Sequence, residues 1–207
     1  MDITIQQIAS LVIQVLVAGL VWRYYRARTF PRFRRYSTFG ARFWTGSVDA
    51  CVLWPIGFVA SALLSLELPP AVAAGIIIAQ NLLWLFYTVH MHAKYGQTYG
   101  KMVCKVRVID FKTEGAITFR QAFLREGIPI AVSLGLVGCE ISAVFDGALS
   151  PAAIARGELA EQSAFWLLAS LPLLWFVAEA VTMLTNEKRR ALHDYLAGTV
   201  VVRTNLE

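Results

Sequence analysis

Asp49, Glu126 and Glu179, with Arg42 and Arg125, stand inside, or at the ends of, long apolar runs of this 207-residue chain. A charge within such a run costs about 2.5–3.5 kcal/mol if the run crosses a bilayer, so each needs a partner or a task. Asp49 lies within the second run and Glu179 within the last, while Arg125 and Glu126 open the fourth. Arg42 precedes Asp49 by seven residues. On a helix that is two turns, which puts both on one face with Asp49 about 10 Å deeper. Asp194 returns from the tail to the same level. Two arginines face four acids, and like carboxylates at low dielectric cannot all stay ionised. A bound Na⁺, a retained proton or Lys101 would restore the balance. Two readings follow, and both stay open at this point. One is a polar pocket open to the cytoplasm and centred on Asp49; the other is an ion-pair network that locks the second span to the fourth and docks the tail, since polar contacts commonly serve as glue between membrane helices.

Other reactive types point to less. His90 and His92 are two apart, so a helix turns them to different faces, a poor metal geometry. His193 beside Asp194 invites a proton relay, because imidazole titrates near neutral pH. With no nucleophile nearby, the expectation is that Asp194 pins the tail through Arg42 and His193 bonds to adjacent backbone. Gln80 and Asn81, mid-way along the third run, could line a path or bond across helices; Glu140 is expected near the outer end of the fourth. Cys51, Cys104 and Cys139 have no paired spacing. No Ser-His-Asp order, Walker loop or HExxH pattern is present, so neither an enzyme nor a cofactor or metal site is expected.

The elements that must hold these residues are membrane helices. Apolar residues make up 57% of the chain and charged ones 16%, with a mean hydropathy of +0.56. Ordinary soluble domains run at about 45–50% and about 25%. Five segments reach the about 20 apolar residues that a span needs: Ile3 to Trp22, Phe43 to Leu66, one within Leu68 to Ala93, Gly127 to Phe145, and about Gln162 to Asn186. Of 19 Lys and Arg, six fall in Arg23 to Arg35, six in Lys94 to Arg120 and four in Lys188 to Arg203. The positive-inside rule makes those loops cytoplasmic, with the N-terminus outside and the C-terminus in. The outer connections agree: a tight turn from Glu67 to Pro70, and the acidic segment from Asp146 to Glu161. Asp2 before the first span, with arginines after it, predicts a reverse signal-anchor rather than a cleaved signal peptide.

Between spans three and four, Met102 to Ile109 alternates apolar and basic residues, then meets Asp110 to Gly115 and Ala116 to Thr118, which predicts a β-hairpin. The β-branched tail from Thr199 to Thr204 is expected to add a third strand. The fold class is therefore an all-α polytopic membrane protein with a small cytoplasmic sheet. Basic residues spread between the apolar runs exclude nucleic acid as a partner. They allow contact with the anionic headgroups of the bilayer.

Several motifs, in order, resemble the RDD family of membrane proteins. Gly40-Ala-Arg-Phe-Trp-Thr-Gly-Ser-Val-Asp49 is similar to the family's first helix, which carries its arginine and first aspartate, here Arg42 and Asp49. Tyr95-Gly-Gln-Thr-Tyr-Gly-Lys101 is similar to a family turn that includes Gly96, Thr98, Gly100 and Lys101, and Val-Arg-Val-Ile-Asp ends at Asp110. Arg190-Ala-Leu-His-Asp-Tyr-Leu-Ala-Gly-Thr-Val resembles the family's tail, with His193 and the second aspartate, Asp194. The resemblance covers about Tyr36 to Arg203. It implies an RDD-like domain over 36–204, with 1–35 an added span and basic linker, in a bacterial cytoplasmic membrane. Family members have been linked to sodium or proton exchange, and others look like assembly factors. The reading favoured here is a scaffold or assembly subunit, partnered by another membrane or cytoplasmic protein or by a second copy. The alternative is a cation/proton antiporter subunit in which Asp49 carries Na⁺ or H⁺.

Overall fold

The computed structural model describes residues 3–66, 68–158 and 163–207, with backbone alone at 3–7 and 163–165. Asp2, Glu67, Glu161 and Gln162, which helped define the expected outer turns and first and last spans, lie outside the described residues. Among those described, five helices are long and apolar enough to cross a membrane. They are α1 (Ile3–Arg26), α2 (Phe39–Leu64), α3 (Pro70–Tyr95), α6 (Gly127–Phe145) and α8 (Ser163–Thr185). Short elements sit between them: α4 (Tyr99–Val103), β1 (Val106–Asp110), α5 (Phe119–Arg125), α7 (Pro151–Ala155), α9 (Leu192–Ala197) and β2 (Thr199–Arg203). The second helix starts at Phe39, earlier than its apolar run, so Arg42 lies in its first turn.

Neighbouring spans pack α1 on α2, α2 on α3, α3 on α6 and α6 on α8, and α8 returns to touch α2. Their outward faces are apolar and open: Leu20 is 68% exposed and Leu173 67%. That suits hydrocarbon, where every backbone polar group must be satisfied within the protein. One core cluster joins Val21 and Tyr25 of α1 to Val48, Val89, Val106 and Val201, so the first helix shares its packing with the rest. In the segment from Asp146 to Glu158, α7 packs under α2, where Ser61 Oγ donates to the Ala155 carbonyl at 3.0 Å.

β1 and β2 pair antiparallel, with Val108 opposite Val201. Alternation along each strand sends Val106, Val108 and Val201 toward the helices, and Ile109, Val200 and Val202 to a second cluster with Tyr36 and Phe111. The sheet is thus two-stranded, and the expected local hairpin is corrected. Asp110 Oδ1 does accept from the amides of Lys112 and Thr113 at 3.0 and 2.8 Å, making the turn. Ala116 to Thr118 then turns away instead of pairing, because Thr118 and Gln121 form a capping box that starts α5. The place beside β1 is taken by the tail. Both outer edges are covered: Arg203 N donates to Arg35 O at 3.0 Å, and Val108 N to Gly96 O at 2.8 Å.

Gly96 ends α3 in the left-handed region, at φ +67°. A Cβ there would stand 2.6 Å from the Val108 carbonyl oxygen, so only glycine lets β1 come this close. At the other turn glycine, Gly100, a Cβ would lie 2.2 Å from the Thr45 carbonyl oxygen. Gly100→Ala is expected to force α4 off α2 and destabilise by at least about 1–3 kcal/mol, the usual range for overpacking. Thermal unfolding in detergent reads it, and a midpoint equal to wild type would contradict the close approach.

Candidate functional site

At the sheet end of the bundle the six expected cluster residues divide into two clasps and a cavity. The first clasp is built on Asp49, 6% exposed in α2. Its Oδ1 accepts from Tyr87 Oη at 2.6 Å and from the Gly100 amide at 2.8 Å. Its Oδ2 accepts from Thr98 Oγ1 at 2.7 Å. Thr98 also caps α4, and Tyr87 in turn accepts from the Tyr99 amide at 3.0 Å. Among the described residues no arginine bonds to this carboxylate. The expected cluster centred on Asp49 is corrected accordingly: Tyr87 and donors of the Gly96 to Lys101 turn occupy it, and Arg42 points elsewhere.

Arg42 goes to the second clasp. Its guanidinium donates to Asp194 Oδ2 at 2.6 Å, and Arg125 bonds Oδ1 of the same carboxylate. Asp194 also accepts from the Ala191 amide at 2.9 Å and from Thr199 Oγ1 at 3.1 Å. It is fully buried. Burial alone would raise its carboxyl, but Arg42 and Arg125 prevail and hold it well below the usual carboxylate range. One tail carboxylate thereby ties α2 and α5 to α9 and β2.

His193 completes this clasp through side chains, not through backbone as expected. Its Nε2 lies 2.8 Å from Arg42 and 2.9 Å from Arg125. Guanidinium nitrogens only donate, so Nε2 accepts and the proton sits on Nδ1, which bonds Glu179. Two cations, two carboxylates and a neutral imidazole leave no net charge. Burial, and Arg125 after it, lower the His193 pKa, with Asp194 and Glu179 opposing.

The sign for stability follows from that lowering. Below about 6.5, the ordinary histidine value, an unfolded chain takes up a proton that folded His193 refuses, so stability is full above that pH and falls as pH drops toward the folded value. Melting curves in detergent from about pH 7 to about pH 5 are expected to slope downward. The His193→Asn protein should slope less, and equal slopes would contradict the tautomer assignment.

The RDD family model matches residues 36–198, most of the chain. The chain belongs to the RDD family. No curated protein and no solved structure matches it. With five helices apolar enough to cross a bilayer, this RDD protein is a multi-pass membrane protein.

Beside the clasps lies a cavity of about 360 Å³, lined among others by Arg42, His92, Lys101, Glu126, Glu179 and His193. His92 is 2% exposed, and among the described residues neither ring nitrogen has a hydrogen-bond partner; Glu126 Oε1 lies 3.5 Å from Nδ1. Lys101 forms no ion pair among the described residues. Burial pushes its ammonium down to about 8, Arg125 adding to the drop while Asp49 and Glu126 oppose it. Burial likewise raises the Glu126 carboxyl against the pull of Lys101 and Arg125.

The two neighbouring histidines part company, His90 stacking on Phe86 at a centroid distance of 5.2 Å. No group of three or more His, Cys, Asp and Glu among the described residues could hold a metal ion. Farther along the bundle, Ser133 Oγ donates to Asn81 Oδ1 at 3.1 Å, joining α6 to α3. Gln80 and Glu140 line a separate hollow with Pro172.

Sequence reasoning placed Arg42, Arg125 and Asp194 in one region, but missed Tyr87, Thr199 and His92 as participants. Thr199 follows the tail motif directly and was legible only as a strand residue. Tyr87 sits in an apolar run like any interface aromatic, and nothing in its spacing pairs it with Asp49.

Proposed function

We propose that this RDD protein is a scaffold or assembly subunit of a membrane complex. One observation carries the reading: both family aspartates are fully engaged within the chain, Asp49 by three donors and Asp194 by two arginines. Carboxylates so used hold a small module of α4, β1, α5, α9 and β2 rigidly against the spans. The module exposes Lys105, Arg107 and Lys112. By the positive-inside rule this end faces the cytoplasm of a bacterial inner membrane, with the N-terminus outside.

Cross-linking in native membranes from Lys105 and Lys112 tests the reading. One abundant partner, or a product of twice the chain's mass, is the expected result; recovery of neither would count heavily against it. The carrier alternative assigned ion exchange to Asp49, and the same three hydrogen bonds disfavour it, because binding an ion there would strip the donors that dock α4. Proteoliposomes with a pH-sensitive dye are expected to show no sodium-driven proton flux with the wild-type protein. Flux that disappears in Asp49→Asn would overturn the scaffold reading in favour of the carrier.

A further inference from the structure

We propose that the cavity beside the clasps binds the headgroup of a zwitterionic phospholipid, one carrying a phosphate and a primary ammonium. Three observations converge on it. The first is the charge that faces the space. Arg42, Arg125, Asp194 and Glu179 compensate one another through His193, which leaves on the cavity wall Lys101, a cation with no ion pair among the described residues, and Glu126, a carboxyl whose one ion-pair contact among them is the His92 ring at 3.5 Å. A ligand with one phosphate and one ammonium matches both and leaves the charge of the site unchanged; an anion or a cation alone would not.

The second observation is His92. A ring that is 2% exposed, with no hydrogen bond at either nitrogen among the described residues and only Glu126 Oε1 at 3.5 Å, is costly unless something in the cavity bonds to it. Phosphate oxygens accept from such a ring, and Lys101 supplies the charge-assisted bond beside it. The third is the mouth. Phe43 and Phe176 line the cavity, stand 52% and 44% exposed on α2 and α8, and bring their rings to 6.2 Å. Both belong to helices apolar enough to cross a bilayer. The charged floor is therefore reached past a lipid-facing aromatic rim, where acyl chains can lie on the open faces of α2 and α8. The volume of about 360 Å³ lies in the about 300–1,000 Å³ range of ligand pockets. This goes beyond the scaffold reading, which needs the clasps and not the cavity.

Native mass spectrometry of the purified full chain tests the proposal, after incubation with equal parts of dioleoyl phosphatidylethanolamine, phosphatidylcholine and phosphatidylglycerol. Selective retention of the ethanolamine lipid by wild type is expected, and it requires no substitution. Lys101→Met and Glu126→Gln should each weaken retention about tenfold or more, as loss of a charge-assisted bond implies. Exposed Lys112→Met should leave it unchanged. Soluble glycerophosphoethanolamine should compete, but only weakly because it lacks the chains. Equal retention of all three lipids by wild type would overturn the proposal, as would equal losses in Lys112→Met. Tighter binding of the soluble headgroup than of the lipid would overturn the lipid source. Cross-linking of a partner in the scaffold test is read separately, so either idea can fail alone.

Discussion

Asp194→Ala is expected to destabilise the protein by about 3–5 kcal/mol, the cost of breaking a buried ion pair from one side. The reason is what remains. Arg42 and Arg125 would face each other, 2.8 and 2.9 Å from the same imidazole nitrogen, with Glu179 already bonded to the far side of that ring. Ala191 and Thr199 would lose their acceptor as well. Limited proteolysis in detergent should cut the tail after Lys188, Arg189 or Arg190, and the thermal midpoint should fall. Pairing Asp194→Ala with Arg42→Met removes one orphaned cation and should recover part of the loss, since residues in one network are non-additive. A single variant within about 1 kcal/mol of wild type, which is the worth of a surface pair, would show that the tail is not held this way.

The second large effect belongs to Asp49→Ala. Three buried donors, the Gly100 amide, the Thr98 hydroxyl and the Tyr87 hydroxyl, would lose their acceptor together. Each unsatisfied group costs about 1–3 kcal/mol, so even partial relaxation leaves a loss comparable to that of Asp194→Ala. Asp49→Asn keeps the shape and one acceptor oxygen and should fall between. Cys104 reports the outcome directly, because it closes α4, is 0% exposed, and burial pushes its thiol up to about 12. In wild type a maleimide should leave it unlabelled; in Asp49→Ala it should react under native conditions. An unlabelled Cys104 in the alanine variant would mean that α4 stays docked without the carboxylate.

These effects share a cause. Each aspartate sits where a short surface element meets a span, and the carboxylate replaces contacts that apolar packing cannot supply to polar backbone. α4 has only five residues, too few to hold itself as a helix without tertiary support. Thr98 caps it, Tyr87 accepts the Tyr99 amide and Asp49 the Gly100 amide. Gly100 permits the approach that makes this bond. α9 is six residues long and relies on Asp194 in the same way.

Five apolar runs, their lengths and the charge of the loops were written in composition and periodicity, because burial in lipid is a property of each segment taken alone. So was the presence of a small sheet, through the alternation in Met102 to Ile109 and the β-branched tail. The capping pair Thr118 and Gln121 was also in plain view. It outweighed the hairpin signal because a satisfied helix start is worth more than a three-residue strand with no cover. Partner choice was another matter. Seven-residue spacing put Arg42 and Asp49 on one helix face, and nothing local could tell that their partners lay on α9, on α3 and at the start of α4, 38 residues or more away in every case. Charges find partners by distance in three dimensions, and a linear chain carries residue types without those distances. The same reason hid His92: its lack of a bond exists only once every neighbour is in place.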